Sequence, residues 1–172
     1  MKTALAISGC AMWLLCAGCG YHVAGKSNML PTTLHTIAVP MFGNATIQNA
    51  LAKYLTESVS RELIARTKYA VVANPGDADA TLYGSIANIF ANATTIDPNT
   101  GRATGSQITI QLQIRLVDKA GKVLYNRPNL ELRDRYEVST LPSQYFDESQ
   151  VAYQRLSRSA AQTIVSGILE NF

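Results

Sequence analysis

The clearest pattern along the chain is an alternation of apolar and polar side chains near residue 110. Over residues 108–116, isoleucine and leucine alternate with threonine, glutamine and arginine. Because successive side chains of a strand point to opposite faces of a sheet, this period of two predicts a strand with one buried face and one wet face. Residues 118–122 predict a hairpin turn, and the next strand segments, 123–125 and 130–138, are separated around Pro128.

A second long strand is predicted just before this one, over residues 80–96. Leu82 and Ile86 share one face, whereas the next large apolar residue, Ile89, has the opposite parity. The alternation therefore slips by one position near residues 87–88. A β-bulge at that point restores the pattern, so we predict one there.

Two helical stretches accompany the predicted strands. The first runs from Ile47 to Lys68, and the second follows Pro142, with Asp147 as a candidate N-cap and Gln150 three residues later. The apolar stripe of the first helix comprises Ile47, Leu51, Tyr54, Leu55, Val59 and Leu63. The apolar stripe of the second comprises Ala152, Tyr153, Leu156, Ala160, Ile164 and Gly167.

Shorter strands are predicted over residues 34–40 and 69–73, which gives the order β-α-β-β-β-β-α. This order predicts an α+β fold, with two helices packed on one face of a mixed, mainly antiparallel sheet. The opposite face of the sheet is then solvated or pressed against a polar surface. That face carries Thr109, Gln111, Gln113 and Arg115.

The N-terminus has the pattern of a bacterial lipoprotein signal. A positive start at Lys2 and a short apolar run precede the small residues Ala17-Gly18 and then Cys19. We therefore predict a signal peptide over residues 1–18, cleavage before Cys19, and a covalent lipid on that cysteine. Residues 19–33 form a lipidated tether, and residues 34–172 form a single domain. The usual leucine three positions before the cut is replaced here by Cys16, and ordinary secretion with Cys19 left free is the alternative.

Composition and charge narrow the function further. Removal of the signal, including Lys2, lowers the formal net charge from +3 to +2, which is too mild for a nucleic-acid partner. Cys10 and Cys16 are lost with the signal, so no cysteine redox pair or cysteine-based metal site remains in the mature chain. No second apolar stretch approaches the length needed to span a membrane.

Candidate catalytic motifs are weak. The mature chain has His22 and His35 only, and no nucleophile elbow or H-E-x-x-H motif. Residues 101–105 read GRATG, which lacks the ending of a phosphate-binding loop, and a plain hairpin tip is the simpler interpretation. Asp77 and Asp79 are either a solvated turn or a metal pair, of which we expect the turn. We therefore predict no enzymatic activity, no metal and no cofactor apart from the lipid.

The chain resembles the LPS-assembly lipoproteins of the LptE type. The resemblance rests on the segments 19–22 (CGYH), 37–40 (IAVP), 43–44 (GN), 61–63 (REL), 77–80 (DADA) and 168–172 (ILENF). It implies an outer-membrane lipoprotein, on the periplasmic side, that plugs an LptD-type β-barrel one-to-one. It further implies help in barrel assembly and in lipopolysaccharide insertion into the outer leaflet.

A second interpretation comes from another class. The segment TIAVPMF at residues 36–42, a helix and the strand at 69–73 are similar to the opening unit of TolB- and CsgG-like envelope proteins. This resemblance implies a secretion-pore or scaffold subunit. The two interpretations differ in stoichiometry, because a pore subunit forms a ring whereas a plug stands alone in its barrel.

Basic residues at the turns and on the sheet are candidates for binding the phosphates of lipopolysaccharide. Arginine suits phosphate because its guanidinium donates two parallel hydrogen bonds. The candidates are Arg102, Lys119, Lys122, Arg115, Arg133 and Arg135. An ordinary charged sheet surface is the alternative for the alternating charges of residues 131–137.

Overall fold

The elements follow the predicted periodicities closely. The structure, a computed structural model, describes residues 33–138 and 148–170. Its elements are β1 (Thr36–Ala38), β2 (Gly43–Asn44), α1 (Asn49–Arg66), β3 (Ala70–Val72), a 3₁₀ turn (Pro75–Asp77), β4 (Ala80–Ile96), β5 (Ala103–Asp118), β6 (Val123–Glu137) and α2 (Ser149–Glu170). The α+β class is confirmed, and the two-residue strand β2 is an addition to the predicted order.

The sheet is mixed, and its three long strands are antiparallel. The strand order is β3-β1-β4-β5-β6, and β2 also pairs with β4. β1 runs parallel to β3 and β4, and β2 runs parallel to β4. On β4, the pairing with β1 and β2 is confined to the first seven residues, up to Ile86. Beyond Ile86, β5 is the sole neighbour of β4 among the described residues.

The predicted β-bulge lies where the alternation slips. Ile86 pairs with Leu112 but Asn88 pairs with Gln111, so Ala87 is the extra residue. The bulge moves Ile89 onto the same face as Ile86, and this prediction is confirmed.

The predicted interruption at Pro128 is a bulge inside one continuous strand. Leu112 pairs with Leu130 and Ile114 pairs with Arg127, so two residues of β6 stand opposite Gln113 alone. Proline has no N–H to donate to a ladder, and a bulge accommodates it without ending the strand.

The core lies between the two helices and one face of the sheet. The alternating side chains of β5 point into it with exposures of 0–1%: Ile108, Ile110, Leu112, Ile114 and Leu116. From α1 come Leu51, Leu55, Val59 and Leu63, and from α2 come Ala152, Leu156, Ala160, Ile164 and Ile168. Both apolar stripes are confirmed except at Ile47, which is 89% exposed because it precedes the helix in the chain.

Polar contacts fix the second helix against its neighbours. Nε of Arg155 donates to Oδ2 of Asp134 over 2.8 Å, and this ties α2 to β6. Nη1 of Arg66 donates to Oγ of Ser166 over 2.7 Å, and this joins the C-terminal ends of the parallel helices. The predicted N-cap, Asp147, lies outside the described residues, as do the predicted signal peptide and Cys19. In the described part of the chain, neither helix has the length and apolar character to cross a membrane.

Candidate functional site

The face of β4, β5 and β6 that points away from the helices is here called the outer face. The pairing register sets side chains of the three strands side by side on it. The cross-strand rows are Tyr83–Arg115–Asn126, Ser85–Gln113, Asn88–Gln111–Glu131, Phe90–Thr109–Arg133 and Asn92–Gln107–Arg135. The outer face is thus dominated by amides and arginines.

The prediction that this face is wet holds for most of its positions. Gln113 and Arg115 are exposed, whereas Thr109 retains only 8% exposure. Thr109 is covered because Phe90 and Arg133 flank it in the same row. A threonine between long neighbours is shielded even on a polar face.

Arg133 has its charge matched within the sheet. Its Nε donates to Oε1 of Glu131 over 2.8 Å, and Nε2 of Gln111 approaches the other carboxylate oxygen at 3.5 Å. These hydrogen bonds, that from Arg133 first, hold the pKa of Glu131 below its usual range. Arg133 therefore behaves as part of a charged sheet surface.

Arg135 has a neutral partner. Its Nε donates to Oε1 of Gln107 over 3.3 Å, and its carbonyl oxygen accepts from Nη2 of Arg155 over 2.9 Å. The alternating charges of β6 do share the outer face, as predicted. Arg133 contacts Glu131 on the same strand, whereas Arg135 contacts Gln107 on β5.

Arg115 differs from Arg133 and Arg135 in its hydrogen-bond partners. Among residues 33–138 and 148–170, no side chain forms a hydrogen bond or ion pair with its guanidinium. It lines a shallow pocket of about 350 Å³ together with Tyr83, Ser85, Gln113, Asn126 and Pro128. This pocket lies beside the β6 bulge.

Arg102 lies in the β4–β5 turn. Oδ1 of Asp97 accepts the N–H of Asn99 over 2.8 Å, and Oδ2 accepts the hydroxyl of Thr100 over 2.9 Å. These bonds hold the pKa of Asp97 below its usual range. Gly101 turns the chain with a φ of +68°. The ordered turn presents Arg102 to solvent.

Lys119 and Lys122 lie in the β5–β6 turn, at the other end of the sheet. Oδ1 of Asp118 accepts the N–H groups of Ala120 and Lys122 over 2.9 and 2.8 Å. The sixteen residues of β5 separate this turn from Arg102 by about 50 Å. The predicted basic residues therefore do not form one cluster: Arg102 stands at one end, and Arg115 lies near the two lysines at the other.

The two aspartates near residue 78 have structural partners. Oδ2 of Asp79 accepts the N–H groups of His35 and Thr36 over 2.9 and 3.0 Å, which lowers the pKa of Asp79. Asp77 accepts from Nδ2 of Asn74 over 3.1 Å. The described residues contain no group of three His, Cys, Asp or Glu that could hold a metal ion.

Sequence reasoning found Arg115 but not the pocket around it. Tyr83 and Asn126 join Arg115 only through the register of three strands. That register depends on the bulge at Ala87 in the β4–β5 pair and on the irregularity between Leu116 and Val117 in the β5–β6 pair, and their effect on side-chain neighbours is not readable from one strand alone.

Three solved structures share this fold at low sequence identity. Lipoprotein B from Nitrosomonas europaea has a TM-score of 0.55 and 15% identity, and the alignment covers 85% of this chain and 88% of that one. Rare lipoprotein B from Shewanella oneidensis has a TM-score of 0.51 and 14% identity, with coverage of 79% and 96%. A PelC dodecamer from Paraburkholderia phytofirmans has a TM-score of 0.50 and 15% identity, with coverage of 79% and 89%.

Comparison with families of known sequences is more specific. The chain matches no curated protein sequence. The family model LptE, described as lipopolysaccharide-assembly, matches residues 34–168, which include every described helix and strand except the last two residues of α2. The chain therefore belongs to the LptE family of lipopolysaccharide-assembly lipoproteins, which is a non-enzymatic family.

Proposed function

We propose that this envelope lipoprotein is anchored to the outer membrane through a lipid on Cys19, on the periplasmic side, and plugs an LptD-type barrel one-to-one. In this role it helps the barrel to assemble and assists the insertion of lipopolysaccharide into the outer leaflet. The observation that carries the proposal is the polar outer face over an apolar core. The lumen of a large barrel is polar, so a domain held inside one needs such a surface.

Purification in mild detergent followed by native mass measurement tests the proposed stoichiometry. We expect one copy of this protein with one large β-barrel. Asn92→Trp on the outer face should weaken the complex, because the new ring stands where the barrel wall makes contact. Ala65→Trp, on the exposed side of α1, is the matched control and should leave the complex intact.

A homo-oligomeric envelope subunit is the second candidate. The shared fold of the PelC dodecamer favours it, because the same architecture builds a ring in that protein. A ring of this protein alone, with no barrel attached, would establish the second candidate and contradict the plug.

The anchor is tested by the intact mass of the mature protein. We expect an N-terminus at Cys19 with added acyl mass, and Cys19→Ala should remove both the acyl mass and the attachment to the membrane. Any other N-terminus, or an unmodified Cys19, contradicts the proposed anchor.

We further propose that lipopolysaccharide phosphates contact basic residues at the two turns of the outer sheet, Arg102 at one end and Lys119 and Lys122 at the other. All three are exposed and form no ion pair among the described residues. Arg133 and Arg135 contribute less, because their guanidinium groups already have partners.

Titration with lipopolysaccharide at two salt concentrations tests these contacts. Binding through phosphates should weaken as salt screens the charges. Arg102→Glu and the double variant Lys119→Glu/Lys122→Glu should each weaken lipopolysaccharide binding. Lys68 is exposed and lies just after α1, so Lys68→Glu is the charge-matched control for Arg102→Glu and should leave binding unchanged. If both sets of variants bind as well as the parent protein, the proposed phosphate contacts are wrong.

A further inference from the structure

The pocket beside Arg115 combines one cation with neutral hydrogen-bonding groups. Its polar lining consists of the guanidinium, one hydroxyl, two amides and a phenol, and none of its lining residues is acidic. Its volume of about 350 Å³ falls at the lower end of the range for small-molecule sites, roughly 300–1,000 Å³. That size and polarity suit one compact polar ring, and they do not suit an acyl chain.

The pocket is a consequence of the strand irregularity in β6. Opposite Gln113, β6 carries an extra residue, so the regular ladder is broken between Leu130 and Arg127. The bulged strand bends locally and re-aims its side chains. Asn126 and Pro128 thereby form one wall, opposite Tyr83 and Ser85 of β4.

The charge of Arg115 is uncompensated within the pocket. On the same face, Arg133 donates to Glu131 and Arg135 donates to Gln107, but no described side chain accepts from Arg115. A guanidinium in a concave site without a carboxylate offers two parallel donors to a planar anion. A carboxylate of a ligand matches that geometry.

The neutral groups fit a polyhydroxylated ring. A hydroxyl at Ser85 and the amides of Gln113 and Asn126 each donate and accept, as sugar hydroxyl groups require. Tyr83 is 45% exposed and adds an aromatic surface with a polar tip. A phosphate alone would satisfy Arg115 but would leave these amides and the aromatic ring without a role.

We propose that this pocket binds a carboxylate-bearing sugar ring. Arg115 holds the carboxylate, Ser85, Gln113 and Asn126 hydrogen-bond the ring hydroxyl groups, and Tyr83 lies against the ring. The proposal rests on the proposed function and deepens it, since it assigns the saccharide part of a glycolipid to this end of the sheet. It is distinct from the phosphate contact proposed for Arg102, which lies about 40 Å away along β5.

Titration of the full-length lipoprotein in detergent with three small probes tests the pocket. The probes are galacturonate, galactose and inorganic phosphate. Their binding is measured by saturation-transfer NMR or by calorimetry. We expect galacturonate to bind at least tenfold more tightly than either of the other two. Galactose lacks the carboxylate for Arg115, and phosphate lacks the ring for the amides and Tyr83.

Variants locate the binding. Arg115→Gln should weaken galacturonate binding about tenfold, and Arg115→Lys should restore only part of it, because lysine lacks the paired donors. Gln113→Ala should weaken it a few-fold. Arg61→Gln is the matched control, with the same charge change on the exposed side of α1, and should leave binding unchanged. Because Arg115 is exposed, the thermal unfolding of its variants should match that of the parent protein.

Three outcomes would overturn the proposal. If galacturonate binds no more tightly than phosphate, the pocket is a plain anion site. If galactose binds as tightly as galacturonate, Arg115 has no role in binding. Galacturonate binding that survives Arg115→Gln places the ligand elsewhere. Because the probes are free small molecules, this measurement does not depend on barrel association or on salt-dependent lipopolysaccharide binding, and it can succeed or fail independently of them.

Discussion

Gly84 is the position where one methyl group should perturb the core most clearly. It lies on β4 opposite Ile114, and its missing side chain leaves room for the ring of Phe42, which is 3% exposed. A Cβ at Gly84 would stand 2.5 Å from Cδ2 and Cζ of that ring and close to Cε2 as well. Gly84→Ala therefore forces Phe42 to move.

The movement is costly because Phe42 is held from two sides. Its ring is part of the core, and its backbone N–H donates to Oγ1 of Thr56 on α1 over 3.0 Å. Overpacking of this kind costs about 1–3 kcal/mol, and contact with three ring atoms places Gly84→Ala near the upper end. Replacing glycine by alanine also lowers the conformational entropy of the unfolded chain, and this stabilises the folded protein by about 0.4–1 kcal/mol.

The net expectation is a loss of about 2 kcal/mol in the free energy of unfolding. For a domain of this size, that lowers Tm by about 4–8 °C. Urea unfolding followed by circular dichroism measures the first quantity, and calorimetry measures the second. Gly76→Ala is the matched control, because its Cβ would meet Asn74 at an ordinary 3.5 Å.

A double-mutant cycle identifies the cause. Phe42→Leu removes the clashing atoms, so it should recover part of the stability lost in Gly84→Ala, with a coupling energy of about 1–2 kcal/mol. If the free energy of unfolding of Gly84→Ala lies within about 0.5 kcal/mol of the parent value, or if the coupling energy is near zero, the packing described for this site is wrong.

Two further substitutions test polar contacts. Asp79→Asn should destabilise the protein at pH 7, because the carboxylate accepts the N–H groups of His35 and Thr36. Because the pKa of Asp79 is lowered in the folded state, its contribution to the free energy of unfolding is present above about pH 4 and is lost as the pH falls through the folded-state pKa. The difference in free energy of unfolding between Asp79→Asn and the parent protein, measured by urea unfolding, should therefore shrink below about pH 4. Arg155→Gln should cost about 1 kcal/mol by removing the ion pair with Asp134, and that cost should fall in high salt; a difference that does not change with salt would contradict the ion-pair account.

Most of the fold could be predicted because its longest elements carry strong periodicities. The alternation over β5 gave its buried face, and the parity slip located the bulge at Ala87. The continuity of β6 through Pro128 was missed, because a proline normally argues against an internal strand position. Only the pairing with β5 shows that the proline occupies a bulge.

The candidate site was predicted as a set of residue types rather than as an arrangement. Arg115, Arg133 and Arg135 look alike in sequence, yet they differ in their partners. Those partners come from neighbouring strands and depend on register. The approximately 50 Å separation of Arg102 from Lys119 likewise follows from the length and direction of β5, which a list of basic residues does not contain.

The far half of β4 has a consequence for the behaviour of the purified protein. Over residues 87–96 it pairs with β5 alone among the described residues, and it contains no charged residue and no proline. Lysine, proline and short length are the usual protections of a strand edge, and an edge without them is a template for other extended chains. Bulges at both ends limit the open ladder to residues near 88–93. Until that edge is covered, concentrated protein is expected to self-associate through it, and Ala91→Lys should delay the onset of aggregation without changing the fold.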